Sequence, residues 1–113
     1  MKGFRLLFVT VCVGFAPLVQ ADDQMIEEGR QIAFDVKKGN CLSCHNIPGG
    51  QASGNISVPL VAMQTRFPDK EVLRQNVWNQ PQFRPHAMMP PFGKHQILTE
   101  EEIDKIVEFL YTL

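Results

Sequence analysis

The five residues Cys41-Leu42-Ser43-Cys44-His45 restrict what this chain can become more than any other stretch. In a helical turn, residues three and four apart share one face, so both thiols and the imidazole can point at a single group. Cys-x-x-Cys-His is the attachment spacing of a c-type haem. The thiols of Cys41 and Cys44 add to the two vinyl groups, and the His45 imidazole takes one axial position on the iron. A disulfide is what two exported cysteines commonly make, but it leaves His45 without a role. Zinc needs four ligands, and His86 and His95 have eight residues between them where a zinc finger uses three to five. A thioredoxin-like pair calls for a βαβ setting that the helical patterns below do not offer. The expected cofactor is one covalently bound haem c.

Export explains how such a motif would be matured. Lys2 and Arg5 precede an apolar run from Leu6 to Phe15, and Val19-Gln20-Ala21 supplies small residues for cleavage. Residues 1–21 are therefore expected to be a removed signal peptide, and residues 22–113 one domain in the periplasm. The apolar run is too short to span a bilayer and gives way to Gln20, Asp22, Asp23 and Gln24, so no membrane anchor is expected. Cys12 follows Val11 inside that run, where a lipid-acceptor cysteine usually follows glycine or alanine. The 11 Lys and Arg face 12 Asp and Glu. Loss of Lys2 and Arg5 makes the remainder more acidic, and nucleic acid is excluded as a partner. A domain of this size buries only about 60–65% of its unfolded surface and commonly leans on a cofactor for stability.

The pattern predicts an all-α fold, three to four helices around the haem, with strand signals nearly absent. A first helix is predicted from Asp22 or Asp23, either able to cap it. Met25, Gly29, Ile32 and Val36 recur at helical spacing, with Ile26 and Ala33 alongside. Lys37 and Lys38 suit its negative end, and Gly39 can adopt the left-handed turn that ends a helix. A middle helix is predicted from Pro68 or Asp69 to about Trp78, with Val72, Leu73, Val77 and Trp78 as its apolar members. In the last helix, Thr99 and Glu102 form a capping box ahead of Ile103, Ile106, Val107 and Leu110. Between these two helices Pro81, Pro85, Pro90 and Pro91 define a shaped loop.

That loop presents Met88, Met89, Pro90, Pro91, Phe92 and Gly93. A thioether bound to the far side of the iron raises its reduction potential. Met89 is the expected ligand, because the following proline restricts its backbone to extended geometry. Met88 is the next candidate, then His86 and His95; Met25 and Met63 read as core filler. Arg66, Arg84, Lys94 and His95 are scattered and read as solvated surface.

With these motifs in place, the chain resembles class I c-type cytochromes and, among them, the SoxX subunits of sulfur-oxidation systems. Lys38-Gly39-Asn40-Cys41-Leu42-Ser43-Cys44-His45 is similar to the family's haem-binding segment. Met89-Pro90-Pro91-Phe92-Gly93 and Leu98-Thr99-Glu100-Glu101-Glu102-Ile103 are similar to its ligand loop and final helix. The resemblance implies that first and last helices cross, with Gly29 admitting an aromatic such as Phe109 or Tyr111. It also implies that a backbone carbonyl near Pro59 accepts a hydrogen bond from His45. Here Ser57-Val58-Pro59-Leu60 departs from the common Gly-Pro before leucine, leaving Val58 and Pro59 both open as its source.

The resemblance further implies a heterodimer with a SoxA-like cytochrome that joins thiosulfate oxidatively to a cysteine of a SoxY-like carrier. The chain would take up the electrons and pass them to a downstream acceptor. On this view it is no enzyme alone but the haem subunit of an L-cysteine S-thiosulfotransferase. The residues agree on that division of labour, since Cys12 leaves with the signal and haem consumes Cys41 and Cys44, so no thiol nucleophile remains. A free diffusible periplasmic carrier is the alternative; a sensor or peroxidase requires a sixth position that the methionine loop would close.

Overall fold

A computed structural model describes residues 19–113. The expected signal peptide lies outside the described residues except for its last three positions, and Cys12 lies outside them altogether. Four helices carry the fold: α1 (Val19–Phe34), α2 (Met63–Arg66), α3 (Lys70–Phe83) and α4 (Glu100–Leu110), with a 3-10 turn at Cys41–Ser43. No strand occurs among the described residues, and no helix there is long and apolar enough to cross a membrane.

Helix α4 organises the core because its apolar positions fall on one face. Ile103, Ile106, Val107, Phe109 and Leu110 are all buried. The capping box forms as expected: Thr99 Oγ1 accepts from the Glu102 amide at 3.2 Å, and Glu102 Oε2 accepts from the Thr99 amide at 3.1 Å. Helix α1 crosses α4 at Gly29. A Cβ on this residue would lie far inside van der Waals contact distance of the Lys105 carbonyl, so only glycine lets the two backbones meet. The neighbour of Gly29 is thus the α4 backbone rather than an aromatic ring. Phe109 instead meets Phe34 edge-on, with centroids 5.7 Å apart, and the Tyr111 hydroxyl donates to the carbonyls of Phe67 and Pro68, both at 3.1 Å.

The ends of α1 differ from the sequence expectation. The helix is already formed at Val19, where the described residues begin, so Asp22 lies inside it and not at its cap. It stops at Phe34, where Asp35 Oδ1 accepts from the Lys37 amide at 2.8 Å and begins a turn. Val36 is therefore exposed, at 74%, instead of facing the core. The left-handed residue is Asn40 (φ 48°), not Gly39. Gly39 is needed for space: its amide donates to the Ile32 carbonyl at 3.1 Å, and a side chain there would press on Ala33 and the Cys41 sulfur.

Helix α3 is capped by Asp69, whose side chain accepts from the Glu71 amide at 2.9 Å. Leu73 and Val77 are buried and Trp78 is partly buried, but Val72 faces solvent. The helix runs past Trp78 through a kink at Asn79 (φ −154°, ψ 73°). Pro81, expected in the loop, is helical because it falls in the first turn after that kink, where an amide has no intrahelical partner to lose. Met63 from α2, with Ile47, Leu60, Phe92 and Leu98 from the connecting segments, completes the core. Met63 is core filler as expected, at 1% exposure.

Candidate functional site

The left-handed Asn40 turns the chain sharply out of the segment after α1. Its carbonyl accepts from the Ser43 amide at 3.1 Å and from the Ser43 hydroxyl at 2.8 Å. The Cys41 carbonyl then accepts from the amides of Cys44 (3.3 Å) and His45 (2.9 Å). Cys41, Cys44 and His45 therefore sit on one turn, and the two cysteines stand as free thiols, not joined in a disulfide. Before a haem is attached, burial pushes the Cys41 thiol up to about 11.

The second side of the turn is secured by the loop that follows. The Gly54 amide donates to the Leu42 carbonyl at 2.6 Å, and Ser57 donates to Cys44 at 3.1 Å. His45 Nδ1 lies 2.7 Å from the Val58 carbonyl oxygen. A carbonyl can only accept, so Nδ1 is the donor; in the neutral imidazole that tautomer leaves the Nε2 lone pair for a metal. The open choice between Val58 and Pro59 is thereby resolved: Val58 holds the histidine, while the Pro59 carbonyl accepts from Arg66 Nη1 at 2.8 Å. Arg66 is exposed, as its sequence reading has it, and its guanidinium nevertheless reaches back to this loop.

The methionine loop joins α3 to α4 and is anchored at its far end. The Trp78 carbonyl accepts from the amides of Gly93 (3.1 Å) and Lys94 (3.3 Å). Gly93 lies against the Trp78 ring so closely that any side chain would collide with it. Phe92 is buried beside them and its carbonyl accepts from Ile97 (2.9 Å) and Leu98 (3.1 Å). Met89 is partly buried against the core, whereas Met88 is 80% exposed. His86 and His95 are both exposed. The burial difference favours Met89 as the residue directed inward.

Two cysteine sulfurs not paired with each other and an imidazole anchored through Nδ1, all on one turn, are the donor set that a covalently attached haem requires. Extraction of the purified protein with acid acetone is expected to leave the pigment with the polypeptide. Pigment appearing in the solvent would show that the thiols are not bonded to it. Sequence reasoning found these residues but missed Asn40, Arg66 and the Gly93–Trp78 contact. Asparagine before the motif was a visible signal, because asparagine tolerates the left-handed region.

The cytochrome c family model matches residues 26–113. A protein of Aquifex aeolicus (strain VF5), described as an uncharacterized lipoprotein, is 37% identical over 76 residues, which is 66% of this chain and 37% of that protein. The chain thus corresponds to little more than a third of the relative's length.

Proposed function

Because the chain belongs to the cytochrome c family, carries one covalently bound haem c and serves in electron transfer, we propose that it is the monohaem, SoxX-like subunit of a thiosulfate-processing complex. In this reading residues 1–21 are removed on export and residues 22–113 work in the periplasm. The lipoprotein name of the Aquifex relative is in keeping with export. His45 and Met89 are the axial ligands. Bound there, the haem supplies a one-electron couple whose potential the thioether raises.

Joining thiosulfate to a cysteine thiol makes one sulfur–sulfur bond and releases one proton and two electrons, which must be taken up singly by a haem centre. This chain offers electron uptake and nothing that could be the sulfur nucleophile, since both cysteines of the domain are spent on attachment. In this reading a SoxA-like partner supplies the reactive thiol, and a SoxY-like carrier supplies the acceptor cysteine. A downstream acceptor then reoxidises the haem. Fold alone would fit a freely diffusing carrier equally well. The loop Met89-Pro90-Pro91-Phe92-Gly93, pinned on Trp78, and the capped α4 after it are what favour the subunit.

Conjugate formation on the carrier, followed by mass, tests this with each subunit alone and with both together. The chain alone is expected to accept electrons without forming conjugate, and turnover is expected when the SoxA-like protein is added. Turnover by this chain alone would overturn the subunit reading. No gain from the partner would favour the diffusible carrier.

A further inference from the structure

The carbonyl that orients His45 belongs to the peptide bond between Val58 and Pro59, a bond with no N–H of its own. The backbone on either side is tied to the haem-binding segment: Ser57 donates to the Cys44 carbonyl at 3.1 Å, and Leu60 donates to the Asn46 carbonyl at 2.9 Å. The next carbonyls along the loop take their donor from a side chain. Arg66 Nη1 donates to Pro59 at 2.8 Å and to Val61 at 3.4 Å, and lies 3.4 Å from the Met63 sulfur. Arg66 closes the short helix α2, which starts from Ala62 in the left-handed region (φ 52°). Its side chain folds back over that helix, with the guanidinium 5.9 Å from the centroid of the Phe67 ring. A residue at the end of one helix thus grips the strained loop that precedes it.

We propose that Arg66 is a positioning residue for the haem: by holding the Pro59 and Val61 carbonyls it keeps the Val58 carbonyl on His45 Nδ1, and so sets how basic the iron-facing nitrogen is. Donation from Nδ1 raises the basicity of a ligating histidine. A more basic ligand favours ferric iron and lowers the potential. Loosening the loop therefore raises the potential. Deleting a nearby cation has the opposite sign, because positive charge opposes the ferric state. The two roles of Arg66, clamp and charge, are separable by the direction of the shift.

The inference rests on the haem reading of Cys41, Cys44 and His45; that reading fails if pigment is lost to acid acetone, an outcome independent of the measurements that follow. Holoprotein carrying Arg66→Gln is compared with the wild type, with Arg66→Lys, and with Lys37→Gln, which removes one exposed cation away from the loop. Redox titration gives the ferrous/ferric equilibrium, and nitrogen-15 NMR of the ferrous protein gives the exchange rate of the His45 Nδ1 proton. Arg66→Gln is expected to favour the ferrous form by about threefold and to speed that exchange about tenfold, a step below the effect of removing a direct outer-shell partner. Arg66→Lys, which keeps a donor and the charge, is expected to recover most of both. Lys37→Gln is expected to move the equilibrium toward ferric or not at all. Wild-type exchange in Arg66→Gln, whatever the potential does, would overturn the proposal. The wild-type protein supplies a check that needs no variant: the Arg66 Nη protons are expected as separate, slowly rotating resonances, and a freely rotating guanidinium would equally overturn it.

Discussion

Gly29→Ala is expected to lower the melting temperature of the holoprotein by about 10 °C or more, although alanine is the better helix former by about 1 kcal/mol. The sign is decided at the α1–α4 crossing. The added methyl would meet the carbonyl of Lys105 and the backbone beyond it, and a backbone cannot rotate out of the way as a flexible side chain can. The helices must separate, which loosens the packing of Ala33, Ile103, Ile106 and Phe109, all buried. Overpacking of a close-packed core costs about 1–3 kcal/mol, occasionally more, and a backbone collision belongs at the upper end. Set against the propensity gain, about 2 kcal/mol of loss remains, and a domain of this size shifts about 4–8 °C per kcal/mol. A circular-dichroism melt measures it. A melting temperature at or above that of the wild type would mean that the two backbones do not meet at this residue.

The second large effect concerns the iron. Met89→Ala is expected to abolish the absorption band of thioether-bound ferric haem and to lower the potential by more than about 59 mV, a tenfold change for one electron. Loss of a ligand that favours the ferrous state accounts for the direction. Met88→Ala is expected to change neither quantity much, because Met88 is 80% exposed while Met89 is partly buried against the core. A band that survives the first substitution and disappears with the second would move the ligand by one residue. A band that survives both would turn attention to His86 and His95.

The parts of this molecule legible from its sequence are those where the chemistry is local. Cys41, Cys44 and His45 fall on one turn because three- and four-residue spacing makes them neighbours in any helical conformation. The α4 cap and its buried face followed from Thr99, Glu102 and a regular apolar spacing. What could not be read depends on contacts between segments distant in the chain. Gly29 was recognisable as a point of close approach, but its partner at Lys105 is fixed by how two helices cross, which periodicity does not encode. Val36 sits at helical spacing, yet Asp35 turns the chain before it. Pro81 looked like a breaker, and only the kink at Asn79 makes it the start of a new helical turn. Arg66 had no motif at all; its role rests on carbonyls five and seven residues earlier that a short helix brings within reach.

Glu102 serves two segments at once. One carboxylate oxygen completes the cap of α4, and the other accepts from Lys38, three residues before Cys41. The Lys38 ammonium and the Thr99 amide hold this carboxyl below its ordinary 4.5. A carboxyl with a lowered value in the folded chain contributes stability that is complete above its unfolded range and is lost as pH falls through the lowered value. Acid therefore removes both bonds in a single protonation. The start of the last helix and the approach to the attachment turn, 64 residues apart in sequence, are linked through one proton: titrating Glu102 loosens them together and leaves the methionine loop, whose Gly93 and Lys94 amides are held by the Trp78 carbonyl, untouched.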